Sequence, residues 1–166
     1  MSAIVVDTAA KRIDVDGGGA DVAIGRSGAC PAETKREGDG CTPIGDWPVR
    51  GVLLRPDGGM APPAKLPWRW LRADDGWSDD PRDPAYNRAV RHPYAFSAER
   101  LWRADGLYDA IVLLGHNDAP PVPGAGSAIF LHLREGDVTE GCVAVPRETM
   151  AALLATLAPG DVLSVR

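Results

Sequence analysis

The sequence predicts a mainly β domain, with packed, twisted sheets, long loops, one helix near the C-terminus and one short helix. Three observations lead to that class. First, 19 glycines and 15 prolines are spread over the 166 residues, with short apolar runs between them. That is the spacing of short strands and turns. Second, these runs are rich in Val, Ile, Leu and Trp and show no sustained 3.6-residue period. Third, one segment alone, opening at Pro146 or Arg147 and reaching about Ala158, has clear helical spacing. Met150, Leu153, Leu154 and Leu157 form its apolar stripe, with proline at its start and Gly160 past its end. The length suits a single domain over residues 1–166 with a real core.

In chain order, Ala3–Val6 and Arg12–Val15 read as an opening hairpin around Asp7–Lys11. The Gly17-Gly18-Gly19 turn leads to a third strand, Asp21–Ile24. Gly25–Asp46 reads as an extended loop. Trp47–Leu54 is apolar and β-branched enough for a strand, with a weaker one at Trp68–Leu71. Ala73–Pro93 is polar, rich in Asp, Pro and aromatics, and reads as a long ordered loop. Ser97 has the chemistry to cap a short helix through Trp102. Tyr108–Leu114 and Ser127–Leu133 read as strands, and Asp161–Val165 closes the chain.

A hydrophobic content of 45% and a charged content of 25% are ordinary for a globular domain. The net charge of -5 argues against nucleic acid or an anionic membrane surface as partner. Met1–Asp7 lacks the basic and apolar regions of a signal peptide, and no run reaches the length of a membrane span. Of the three cysteines, Cys30 and Cys41 flank a polar loop and read as two unpaired side chains, able to pair in an oxidising compartment. None lies in a CxxC spacing, so no metal site is expected.

The chemistry concentrates in Ile129–Val145. His132 lies on an apolar strand-like run, and Cys142 follows ten residues later, directly after Gly141. A thiol is a strong nucleophile only as thiolate, and an imidazole is the usual device for taking its proton. Glycine before the cysteine lets the backbone approach closely and aim amides at a developing oxyanion. Strand alternation puts Ile129, Leu131 and Leu133 on one face and Ala128, Phe130 and His132 on the other. The polar connection Arg134–Thr139 then turns the chain back toward His132.

Thr139-Glu140-Gly141-Cys142-Val143 with a strand histidine upstream resembles the L,D-transpeptidase catalytic domain (YkuD) family, whose signature is a histidine, a gap, then Ser/Thr-x-Gly-Cys. Thr42-Pro43-Ile44-Gly45 is similar to the family's early T-P-x-G stretch. Gly126–His132 matches the lead into its histidine, and Gly76–Pro81 with Tyr86-Asn87-Arg88 resemble a compact bacterial branch. Glu140 stands where many members have His, Ala144 follows Val143 where many have Arg or Asn, and the histidine-to-cysteine gap is short.

The resemblance implies a cysteine acyltransferase acting on peptidoglycan stem peptides, both donor and acceptor. Cys142 would form a thioester at diaminopimelate, with His132 as base. The backbone carbonyl of Leu133 would orient the ring, and the Gly141 and Cys142 amides would hold the oxyanion. Related readings give the thioester to water, join L-Ala–diaminopimelate donors in 1-3 crosslinks, or leave a non-catalytic wall-binding relic. Asn117, His116, Thr139, Ser127, Phe130, Trp77, Tyr86 and Arg88 are the candidate substrate contacts. For several the alternatives are plain: Thr139 as a turn hydroxyl, His116 as exposed, Trp77 and Tyr86 as staples of the long loop. Lys35, Arg88 and Arg134 are candidate partners for substrate carboxylates. No cofactor or metal is called for and a monomer is expected; the resemblance implies a periplasmic or wall-associated site of action, and the leaderless start leaves a cytoplasmic one as the alternative.

Overall fold

A computed structural model describes residues 3–166. Met1 and Ser2, the first residues of the segment read for a leader, lie outside the described residues. Among the described residues no helix is long and apolar enough to cross a membrane.

The chain opens as a meander of β1 (Ala3–Asp7), β2 (Arg12–Val15) and β3 (Gly18–Asp21), paired antiparallel in sequence. Asp16 and Gly17, both at positive φ, make the two-residue turn between β2 and β3. Asp-Gly is the preferred dipeptide for such a hairpin. Gly18 and Gly19 therefore belong to the strand rather than to the expected turn. The expected strand at Asp21–Ile24 is reduced to β4 (Ile24–Gly25).

The stretch expected as loop contains β5 (Ala29–Pro31) and a single 3-10 turn at Ala32–Thr34. It ends early, because β6 (Thr42–Leu54) starts ahead of Trp47 and runs for 13 residues. Cys30 and Cys41, read as unpaired, are joined as a disulfide. Parallel pairing of β5 with β6, Cys30 opposite Pro43, brings them together.

Next come β7 (Trp68–Trp70), β8 (Asp75–Ser78), β9 (Ala89–Arg91) and β10 (Ala98–Arg100). The helix expected from Ser97 is instead β10, which pairs antiparallel with β8, Glu99 opposite Trp77. A cap signal worth about 1 kcal/mol yields to a backbone ladder and the side chains it seats. The stretch expected as a long loop, Ala73–Pro93, instead holds β8 and β9 paired antiparallel, and the segment between them is ordered by Asp83, whose carboxylate accepts from the Ser78 and Tyr94 hydroxyls.

The remaining elements are β11 (Ala110–Leu114), β12 (Phe130–Leu133), β13 (Val138–Thr139), β14 (Val143–Val145), α1 (Arg147–Thr156) and β15 (Val162–Val165). The main sheet runs β14-β12-β11-β6-β15-β1-β2-β3, with β5 and β7 also on β6. Length lets β6 serve both halves: its start pairs with β15, its end with β11. Both faces of β11 and β12 are covered, which is why they read as continuous apolar runs. One face packs Leu131 and Leu133 against Met150, Leu153 and Leu154 of α1. The other gathers Phe130, Leu53, Ile111, Leu101 and Tyr108, and Cys142 is part of that second core.

Candidate functional site

β12 and β14 are neighbouring parallel strands, with His132 opposite Ala144. Cys142 ends the loop just before β14, so the reversal through Arg134–Gly141 returns the thiol to the strand that carries the imidazole. Both side chains open on one cleft of about 480 Å³.

The His132 Nδ1 lies 2.8 Å from the carbonyl oxygen of Leu133. A carbonyl only accepts, so Nδ1 carries the proton and Nε2 has the free lone pair. Tyr108 packs edge-on against the ring, with centroids 5.1 Å apart. Burial pushes His132 down to about 4, so the imidazole rests neutral. The Cys142 Sγ donates to the Ala128 carbonyl oxygen at 3.1 Å and accepts from the Phe130 amide at 3.3 Å. Burial first, and the Glu99 carboxylate after it, push the thiol up to about 12. The resting pair is therefore a neutral thiol beside a neutral base.

The turn before Cys142 is tied by one side chain. The Thr139 hydroxyl donates to the Cys142 carbonyl at 2.7 Å and accepts from the Gly141 amide at 3.0 Å. Thr139 is thus the turn's organiser, and the Gly141 N–H, expected at an oxyanion, is already engaged. The glycine itself is required on steric grounds. Its φ is +140°, and an added Cβ would meet the Cys41 carbonyl oxygen at 3.0 Å and Ile129 Cδ1 at 3.3 Å. Glu140 pairs with Arg26 at 2.9 Å across the rim. Ala144 exchanges two backbone hydrogen bonds with Ala23, both at 2.9 Å, and the two small side chains line the cleft floor.

The other candidates divide. Ser127 lines the cleft. Phe130 is buried under Trp77, ring centroids 5.1 Å apart. His116, whose alternative reading was exposed, is buried against Trp47. Asn117 spends its amide on Val122 and Gly126 and so holds its own loop. Trp77 donates to Asn87, and Tyr86 donates to Glu37, so both fasten the long loop. Arg88 donates to the Asp118 carbonyl and borders a smaller hollow of about 100 Å³. Of the candidate carboxylate partners, Arg134 pairs with Asp137 on the surface. Lys35 is buried, lines the cleft and pairs with Asp39.

Sequence reasoning missed Asn87, Tyr108, Asp79 and Glu99. Asn87 accepts from Trp77 and the Ala128 amide and donates to the His116 and Asn117 carbonyls, so it sets the approach to β12. Tyr108, Asp79 and Glu99 line the cleft from segments remote in sequence. No local pattern marks Tyr108 or Glu99, and Asp79 lies in the Gly76–Pro81 stretch without standing out from it.

A family model described as the L,D-transpeptidase catalytic domain, YkuD, matches residues 1–165. Similar solved structures include an L,D-transpeptidase from Mycobacterium smegmatis, at 14% identity and a TM-score of 0.46, covering 99% of this chain and 58% of that one. Another is L,D-transpeptidase 3 from Mycobacterium tuberculosis in complex with a faropenem-derived adduct, at 14% identity and a TM-score of 0.49, covering 99% and 60%. This chain thus spans less than two thirds of either. No curated protein matches the sequence.

Proposed function

Because the chain belongs to the L,D-transpeptidase catalytic domain (YkuD) family, we propose that it joins or exchanges peptidoglycan stem peptides at diaminopimelate through a thioester on Cys142. One observation carries the reading. A free thiol and an imidazole share one cleft, and the imidazole's Nδ1 proton is committed to Leu133, which leaves Nε2 to act as base.

In the first step the Cys142 proton passes to His132 Nε2 as Sγ attacks the carbonyl at the L-centre of diaminopimelate. The Cys142 N–H is the natural oxyanion donor, since the Gly141 N–H serves Thr139. The C–N bond to D-alanine breaks, the leaving amine takes the proton from His132, and the thioester remains. An acceptor amine then attacks the thioester, gives a proton to His132, and the thiolate leaves and recovers that proton. The Cys30–Cys41 disulfide supports a periplasmic or wall-associated site of action, where such bonds persist.

The test is incubation with purified muropeptides and mass spectrometry of the bonds formed, with a carbapenem as a probe for acylation. Cys142→Ala is expected to abolish both crosslinking and the adduct. Unchanged crosslinking by that variant overturns the reading. A tripeptide product alone, with no exchange of labelled D-amino acid, reassigns the protein as a hydrolase. A bond to L-alanine assigns the 1-3 type of crosslink.

A further inference from the structure

Five carboxylates line the cleft, and the chemistry above uses none of them; three, Glu37, Asp79 and Glu99, lie close enough to act on one another. Glu37 accepts from the Tyr86 hydroxyl and Glu99 from the Tyr108 hydroxyl. Phenols bond a carboxylate without cancelling its charge. The Oδ1 of Asp79 is buried with no hydrogen-bond partner. Of the two cations on the cleft, Lys35 is paired with Asp39, and Arg103, paired with Asp105, offsets Glu99 only from a distance. Burial raises the Glu99 carboxyl, the Tyr108 hydroxyl and Arg103 pull it partly back, and Asp79 and Glu37 lie close enough to raise it again.

A second, independent feature points into the same space. Ser127 is 8% exposed and lines the cleft, and its hydroxyl has no hydrogen-bond partner. The Tyr86 phenol is the polar group beside that hydroxyl, and no well-formed hydrogen bond joins them. Buried polar groups without partners are costly and call for an occupant. A divalent ion does not fit. Among the described residues the one trio of metal-capable atoms within 4.8 Å of one another is Cys30, Asp39 and Cys41. A primary ammonium does fit: it is a compact charge with three donors that needs no chelating convergence.

We infer that Glu37, Asp79 and Glu99, with the Ser127 hydroxyl, form a subsite for a primary ammonium carried by the acyl donor. Placing that ammonium on the donor rests on the transpeptidase reading, in which diaminopimelate carries a free amine at its D-centre, three methylenes along the side chain from the L-centre that bears the reacting carbonyl. The subsite then does more than select. An ammonium seated there offsets the Glu99 charge that opposes a thiolate at Cys142, so the thiol is easier to ionise once the right donor has arrived.

The test measures binding to the Cys142→Ala protein by calorimetry, with two probes. One is a muropeptide ending in diaminopimelate–D-alanine with its side-chain amine free. The other is the same muropeptide with that amine N-acetylated. The free amine is expected to bind about tenfold tighter or more, the scale of a lost charged hydrogen bond. Asp79→Asn and Glu99→Gln, each made in the same background and checked for an unchanged melting profile, are expected to bring the ratio close to one. Equal affinity for the two probes, or no binding of either, overturns the inference. So does a ratio that survives both substitutions. Discrimination at this site in a protein whose intact Cys142 forms no thioester sustains the subsite and overturns the transpeptidase reading instead.

Discussion

Alkylation of Cys142 by iodoacetamide, followed by mass spectrometry from about pH 6 to 10, reads how the thiol is held. Cys30 and Cys41 are bonded to each other, so Cys142 is the free thiol that reports. Burial lifts that thiol from 9.0 to about 12. Three pH units leave roughly 1,000-fold less thiolate near neutrality than an ordinary cysteine has. A more basic thiolate is a better nucleophile, and a Brønsted slope of about 0.4–0.5 returns roughly 20-fold. Alkylation near neutrality is therefore expected to run about 50-fold slower than for free cysteine. Shielding of the sulfur lowers the rate further. The rate is expected to climb about tenfold per pH unit with no plateau across the range. His132, held down to about 4 by burial, supplies no imidazolium to stabilise a thiolate at rest. On the proposed mechanism, ionisation accompanies attack on a bound carbonyl, with the proton crossing to Nε2. An inflection near or below pH 7, at a rate above that of free cysteine, would refute the neutral resting pair and its mechanism.

Two further outcomes test the frame around the site. His132 and His116 are both pushed down to about 4 from 6.5 by burial. The unfolded chain takes up those protons below 6.5 and the folded one only near 4, so stability falls as pH drops through that window. The loss is about 3 kcal/mol per histidine at the lower end. Urea midpoints at about pH 7 and 4.5 check it, and His116→Gln should remove about half of the drop; a flat midpoint disproves it. Gly141→Ala is expected to cost about 1–3 kcal/mol from its strained φ and, by shifting the sulfur, to slow thioester formation on the order of 100-fold. Thermal melts and carbapenem adduct formation read the two effects separately.

Adjacent residues in sequence explain what was legible there. The α1 stripe of Met150, Leu153 and Leu154 faces the core because helical period alone puts those residues on one side. The Leu133 carbonyl was named through the family resemblance, and it lies 2.8 Å from His132 Nδ1. Thr139, Gly141 and Cys142 likewise close their own turn. By contrast, Ser97 carried a helix-cap signal, and the backbone from Ala98 to Arg100 was claimed by a strand pairing with Gly76–Ser78. No window around Ser97 contains that partner. The Cys30–Cys41 bond depended on β5 lying beside β6, which local composition does not encode.

The amino-acid order by itself determined the family, the mainly β class, the histidine strand and the thiol turn, because each is written in residues close along the chain. Tertiary structure alone decided how that thiol is held and what surrounds it. The burial of Cys142 and His132 arises where segments far apart in sequence close one cleft. The acidic wall of Glu37, Asp79 and Glu99 has the same origin. Desolvation and charge depend on distance through space, and only the folded chain sets those distances.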